Sequence, residues 1–271
     1  MKSLKYKLIA VDMDGTLLND KKQISPLNLE YINRARAAGV KFVVASGRPY
    51  KSIMKYNDLL SLDCPVINNN GSTVTEPDSG HELISYHIPP DDVRKIYEMW
   101  THTDAMLFAW VGGDLYASTL DLPERYYISL GGVMPKKLDS PEDIIPLGVK
   151  KMLWYSTPEK LNGFADMIDP KAIPGTVFVK PEPALLDFIN KDASKGNALR
   201  RVAEMLSVSR NEIIAIGDGC NDIPMLEYAA LSAAPATAMP ETLQAAQYIA
   251  PSNNDSAVAH VIAKFIFEED I

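Results

Sequence analysis

The chain has 271 residues, 46% hydrophobic and 23% charged, with a formal net charge of −8 at pH 7. This is the composition of a folded globular protein with one large domain or two modest ones, and it excludes a disordered chain. The acidic balance argues against nucleic acid or an anionic membrane as partner, so a site for any anionic substrate must supply its positive charge locally.

An amino terminus that carries lysines leads into an apolar run, Leu8 to Val11, that stops at Asp12. The run is too short for a signal-peptide core or a membrane span, and its unbroken hydrophobicity predicts a parallel strand covered on both faces. A helix follows, with Ser25 as N-cap, Pro26 at the first helical position, Ile24 and Leu29 as a hydrophobic staple, and Gly39 as its stop. Val40 to Ala45 predicts a second buried strand and Val66-Ile67 a third. Strand, helix, strand in this order implies a right-handed βαβ unit and an α/β fold with a doubly wound, Rossmann-like parallel sheet.

From Pro89-Pro90 the style changes. Val93, Ile96, Tyr97 and Trp100 mark a helix, Met106 to Val111 a strand, and Gly112-Gly113 before Leu115-Tyr116-Ala117 a hairpin. Further strands are expected at Lys151 to Tyr155, Val177 to Lys180 and Leu185 to Ile189. Strands joined by hairpins and by Pro, Gly and Asp loops predict an α+β module, residues 85–188, inserted into a core formed by 1–84 and 189–271. The core style then returns. Ala198, Leu199, Val202, Ala203 and Leu206 line one helix face, Ile213 to Ile216 is a buried strand, and a last helix turns Val258, Val261, Ile262 and Phe265 inward.

Four polar clusters interrupt this pattern, at strand ends or a helix start, where open parallel sheets bind ligands. Asp12-Met13-Asp14-Gly15-Thr16 places two carboxylates beyond a buried strand, where they need a cation or several hydrogen bonds. A calcium loop does not fit, because Thr16, Leu17 and Gln23 stand where an acid, Gly and Glu are required. Ser46-Gly47-Arg48-Pro49 offers a hydroxyl and a backbone N–H to phosphate oxygens, or a simple turn. Lys195-Gly196 sets a cation at a helix N-terminus, which is unfavourable unless an anion lies nearby. Gly217-Asp218-Gly219-Cys220-Asn221-Asp222 adds two carboxylates and an amide after another buried strand.

Taken in order, Asp-x-Asp-Gly-Thr-Leu, Ser-Gly-Arg-Pro, Lys-Gly-x-Ala-Leu and Gly-Asp-x-x-Asn-Asp-x-x-Met-Leu resemble the four motifs of the haloacid-dehalogenase-like superfamily, and within it the Cof-type phosphatases with an inserted α/β cap. The resemblance implies a phosphatase acting on a small phosphorylated metabolite. Asp12 would be the nucleophile and Asp14 the general acid and base, which requires Asp14 to be protonated while Asp12 is ionised. Mg²⁺ would be held by the Asp12 and Asp218 carboxylates and the Asp14 carbonyl, with Asp222 orienting waters or Lys195 from behind. Ser46, Lys195, Asn221 and the N–H groups of Met13 and Gly47 would bind phosphate oxygens. Counted from these motifs, four carboxylates face one cation, Lys195, so a metal and a proton on Asp14 are needed before a phosphate dianion can enter. A phosphomutase or phosphotransferase of the same fold and a non-catalytic phospho-ligand-binding regulator are the rivals.

Asn70 could border the substrate or merely form a turn before Thr73-Val74. Ala234-Pro235-Ala236-Thr237-Ala238 departs from the Ala-Met-Gly-Asn-Ala of Cof-type chains, and Leu243 stands near the place of a usual Lys, so no site residue is expected there. Cys64 and Cys220 lack metal-like spacing and are expected as free thiols in a soluble cytoplasmic protein. The four histidines share no spacing, and Trp100, Trp110 and Trp154 are expected in the core of the cap. Nothing in the chain specifies an oligomeric state.

Overall fold

The computed structural model describes residues 4–131, 133–180 and 182–271. Its strands, in chain order, are β1 (Leu8–Val11), β2 (Lys41–Val44), β3 (Val66–Asn68), β4 (Thr73–Thr75), β5 (Glu82–Ser85), β6 (Met106–Val111), β7 (Asp114–Ala117), β8 (Lys136–Lys137), β9 (Val149–Tyr155), β10 (Thr176–Val179), β11 (Leu185–Asn190), β12 (Ile213–Ile216), β13 (Leu231–Pro235) and β14 (Tyr248–Ala250).

The core sheet runs β14-β13-β12-β1-β2 and is parallel throughout. A parallel bridge from Ala45 to Ile67 leads on to β3, from which β4 and β5 continue as an antiparallel meander. β1 reads as unbroken hydrophobicity because both its faces are covered. Ile9 and Val11 pack with Tyr31, Ile32 and Ala35 of helix Pro26–Ala37 and with the C-terminal helix Ala257–Ile262. Leu8 and Ala10 pack on the other side with Ala198, Leu199 and Val202 of helix Lys195–Met205. The expected caps are present: Ser25 Oγ accepts from Asn28 N–H at 3.1 Å, and Gly39 leaves the helix with φ +91°.

The chain departs after β1 toward β2 on one side and returns to β12 on the other, so the strand order reverses between β1 and β12. Parallel sheets open a crevice at the carboxyl ends of strands at such a switch point. Asp12 follows β1 directly, and Gly217-Asp218 follows β12.

The inserted module is a six-stranded sheet, β10-β11-β9-β6-β7-β8, antiparallel except for the β7–β8 pair. One face carries Leu107, Ala109, Val111, Met152, Trp154, Leu186 and Phe188 and packs against helices Pro90–Trp100 and Pro158–Met167. The other face turns toward the carboxyl ends of the core strands. Trp154 lies in this cap core as expected, with Trp100 half-buried against it. Trp110 is buried in the cap as well, but in a second cluster with Phe108, Leu115, Tyr127 and Leu153, because strand alternation sends it to the opposite face, where it also lines the interdomain cavity. No helix among the described residues is long and apolar enough to cross a membrane.

Candidate active site

Asp12 is brought into the crevice by the last residue of β1, and only 5% of its surface is exposed. The chain turns sharply after it. Gly15 adopts φ +78°, and a Cβ at that position would collide with the Asp218 carboxylate. Only glycine allows both the left-handed backbone and the close approach of the two acidic loops. Thr16 Oγ1 then donates to Asp218 Oδ1 at 2.8 Å, joining residues 202 apart in sequence.

Asp222 closes the fourth motif on itself. Its Oδ2 accepts from the N–H groups of Asp218 and Gly219, both at 2.9 Å. Its Oδ1 accepts from Lys195 Nζ at 2.5 Å, and the same ammonium donates to Asp12 Oδ1 at 2.6 Å. Burial alone would pull the Lys195 ammonium down, but the Asp12 and Asp222 carboxylates outweigh it and hold the group above its ordinary value. The lysine at a helix N-terminus thus finds the anions that the sequence required of it. Lys195→Met would leave two buried carboxylates facing each other without a cation, and a loss of about 3–5 kcal/mol in unfolding free energy is expected, read from urea denaturation.

Asp12, Asp218 and Asp222 each present a carboxylate oxygen within 4.8 Å of the others, the arrangement of a divalent-cation site. Burial, then the charge of Asp222, push Asp218 up to about 6. Burial raises Asp12 as well, against the pull of Lys195. At both acids burial disfavours the ionised form more than Lys195 favours it. The donor set is entirely oxygen, which suits a hard cation such as Mg²⁺. Asp222 has both oxygens engaged, by the two N–H donors and by Lys195.

Asp14 departs from expectation. Burial pushes its carboxyl up, but hydrogen bonds and charge from Arg48, then from Lys22, outweigh this and lower it to about 2. Arg48 grips it with Nε at 2.5 Å and a terminal nitrogen at 2.7 Å, and Lys22 Nζ adds a bond of 2.8 Å. In this state Asp14 is therefore ionised and Asp12 is the acid with the raised value, the reverse of the order expected from sequence. The charge count from the motifs also needs correction: three cations, Lys195, Arg48 and Lys22, meet the four carboxylates.

These residues surround a cavity of about 920 Å³ between core and cap. Asp12, Asp14, Ser46, Gly47, Asp218, Asn221 and Asp222 lie on its wall. Lys195 stands behind Asp12 with no exposed side-chain surface, and the Met13 side chain is buried in the core, so Met13 can offer the cavity only its backbone. Ser46 Oγ accepts from Arg48 N–H at 3.1 Å.

Residues 9–262 match the family model described as haloacid dehalogenase-like hydrolase. The chain belongs to that family. A putative phosphatase, YxeH of Bacillus subtilis, is 32% identical over 269 residues, 96% of this chain and 98% of its own. The 5-amino-6-(5-phospho-D-ribitylamino)uracil phosphatase YbjI of Escherichia coli is 28% identical, with 98% of each chain covered. A haloacid dehalogenase-like hydrolase from Bacteroides thetaiotaomicron superposes with a TM-score of 0.83 at 28% identity, over 95% of this chain and 98% of that one. With its inserted cap and acidic cluster, this chain is a haloacid dehalogenase-like phosphatase of the Cof branch.

Asn70, open between two readings in the sequence, sits on the cavity wall of this hydrolase. Asn69, Asn70 and Gly71 take φ of 49°, 58° and 88°, a left-handed run in which asparagine and glycine are the tolerated residues. The turn aims the Asn70 amide between core and cap: its Oδ1 accepts from Asn221 and its Nδ2 donates to Asp187, both at 2.9 Å. The divergent loop after β13 contributes no side chain to the cavity wall. Thr237 Oγ1 donates to Asn253 at 3.1 Å, and Met239 N–H supports the fourth motif by donating to the Asp218 carbonyl at 2.9 Å. Cys220 turns to the Met239 sulfur rather than the cavity. Lys22, Thr16, Lys151 and Asp187 were absent from the sequence-derived site. Of these only Thr16 had a local signal, its place inside the first motif.

Proposed function

We propose that this chain is a Mg²⁺-dependent phosphatase that hydrolyses a small phosphorylated metabolite, such as a sugar phosphate, through an aspartyl-phosphate intermediate on Asp12. The observation that carries this reading is the contact of Asp12 with Lys195 beside Asp218 and Asp222, at the floor of a cavity closed by a cap. The naming of YbjI for a phosphorylated ribityl compound agrees with a small soluble substrate.

Lys195 engages Asp12 Oδ1, which leaves Oδ2 as the oxygen to attack phosphorus. Ser46 Oγ, Asn221 Nδ2 and the N–H groups of Met13 and Gly47 receive the phosphate oxygens, and the buried Lys195 ammonium adds positive charge from behind Asp12, where fixed donors favour the charge that builds in the transition state. As the phosphorus–oxygen bond to the leaving group breaks, Asp14 gives that oxygen a proton. Water then attacks the phosphoryl group, Asp14 takes the water proton, and inorganic phosphate leaves with the Asp12 carboxylate restored. Asp14 can carry a proton only once Arg48 and Lys22 relax their grip, and an incoming phosphate dianion gives those cations another anion to hold. Mg²⁺, bound by the Asp12 and Asp218 carboxylates and the Asp14 carbonyl, would neutralise the acidic floor so that a dianion can enter.

Residues 1–84 and 189–271 form the catalytic core in this reading. Residues 85–188 form the cap, which excludes water during the first transfer and selects the leaving group. A phosphate-release screen over phosphorylated metabolites in Mg²⁺ tests it. Turnover of at least one compound is expected, and no release from any of them, nor from a generic aryl phosphate, would sink it.

A further inference from the structure

The inner face of the cap sheet is apolar with one interruption. Strand register pairs Trp110 with Lys151, Leu153 with both Phe108 and Asp187, and Tyr155 with Leu185. Alternation along each strand puts all seven side chains on one face. Six of them, all but Phe108, line the cavity. Lys151 and Asp187 are the only charged members of this group, 5% and 1% exposed, and Lys151 Nζ lies 3.1 Å from Asp187 Oδ2. Folding does not call for such a pair, because hydrophobic replacement of a buried ion pair is often neutral or stabilising.

The pair also faces the chemistry. Asp187 Oδ2 accepts from Asn70, which is bonded in turn to Asn221 beside Asp222. Asp187 Oδ1, in contrast, is buried without a hydrogen-bond partner among the described residues, and so is Trp110 Nε1. Lys151 Nζ sits 4.3 Å from the Trp110 ring centroid, and its bond to Asp187 uses one of three donors. One patch therefore combines an unused carboxylate acceptor, ammonium donors and an indole donor. A hydroxyl, which donates through its hydrogen and accepts through its oxygen, satisfies both kinds of group, and neighbouring hydroxyls satisfy them together. An aryl group without hydroxyls would leave the carboxylate oxygen unpaired.

We propose that Asp187, Lys151 and Trp110 form a subsite for the hydroxyl groups of a polyol or sugar leaving group whose phosphate sits at Asp12. The assignment rests on the phosphatase reading given above and names the part of the substrate that the cap recognises. In Asp187→Asn, Asn70 and Lys151 both demand the oxygen, so the amide nitrogen takes the free position and an acceptor becomes a donor. In Lys151→Met the ammonium donors are lost.

The test compares kcat/KM for p-nitrophenyl phosphate with that for the best substrate among sorbitol 6-phosphate, ribitol 5-phosphate and glucose 6-phosphate. The ratio of polyol to aryl activity is expected to fall about tenfold or more in both variants. An unchanged ratio overturns the subsite, because a purely structural role would lower both activities together. If wild type releases phosphate from none of these compounds and from none of the wider metabolite screen, the phosphatase reading fails separately. Calorimetry with the same three polyol and sugar phosphates then decides the subsite alone. A Kd about tenfold weaker in Asp187→Asn supports it; an equal Kd, or no binding by wild type, overturns it.

Discussion

Asp12→Asn is expected to lower kcat/KM for any phosphate ester by at least about 10³-fold while leaving the protein folded. An amide oxygen cannot serve as the attacking carboxylate, and the neighbouring Asp222 is tied to two N–H groups and Lys195. Stability should move little or in the opposite direction. Burial already disfavours an ionised Asp12, and the variant removes that charge while Lys195 keeps Asp222 as its partner. Phosphate release and thermal melting in chelator check the two halves. A variant that turns over like wild type would remove Asp12 from the chemistry, and a variant that melts far below wild type would mean its inactivity reports unfolding.

The second large effect concerns the cation. Excess chelator is expected to abolish turnover, and saturating Mg²⁺ at pH 7.5 is expected to raise the melting temperature by about 5–10 °C. The sign of the pH dependence follows from Asp218. Its folded value of about 6 lies above its ordinary 3.8, so the metal-free folded state binds the extra proton between those two values. As pH rises through this window the folded state loses about 3 kcal/mol relative to the unfolded chain. Asp14, lowered to about 2, contributes stability that is lost only as pH falls below its ordinary 3.8, outside that window. A bound divalent cation removes the reason for the raised value. The Mg²⁺-induced shift should therefore be large at pH 7.5 and shrink toward pH 5, where protons compete for the same oxygens. Melting curves at the two pH values, with Mg²⁺ and with chelator, measure it. An equal shift at both would separate cation binding from Asp218.

The three cations around the acidic floor change the charge balance of the site. A count drawn from the motifs left the site strongly negative, whereas Arg48 and Lys22 lower the free-state charge and hold Asp14 ionised. In the proposed mechanism Arg48 and Lys22 would yield Asp14 to an incoming phosphate dianion, which would compete with it for one guanidinium.

Much of this protein was legible from local patterns. Continuous hydrophobicity marked β1 and β12 because a parallel strand is buried on both faces. Ser25, Pro26 and Gly39 bounded a helix because capping and left-handed exit depend on neighbouring residues alone. Carboxylates at Asp12, Asp14, Asp218 and Asp222 stood out because charge beyond a buried strand has no packing explanation. The small β4–β5 meander and the helix Glu124–Gly131 carried no comparable local signature. What the tertiary structure alone decided was pairing. Nothing near Asp14 in sequence says that Arg48 will grip it, and nothing near Asp187 names Lys151 and Asn70 as its partners. Trp110 and Trp154 look alike in sequence but face opposite sides of the cap sheet, one toward the cavity and one toward the helices. Secondary structure and capping are local in the chain, whereas the protonation of an acid depends on which charges lie within a few ångströms in space, and that distance exists only after folding.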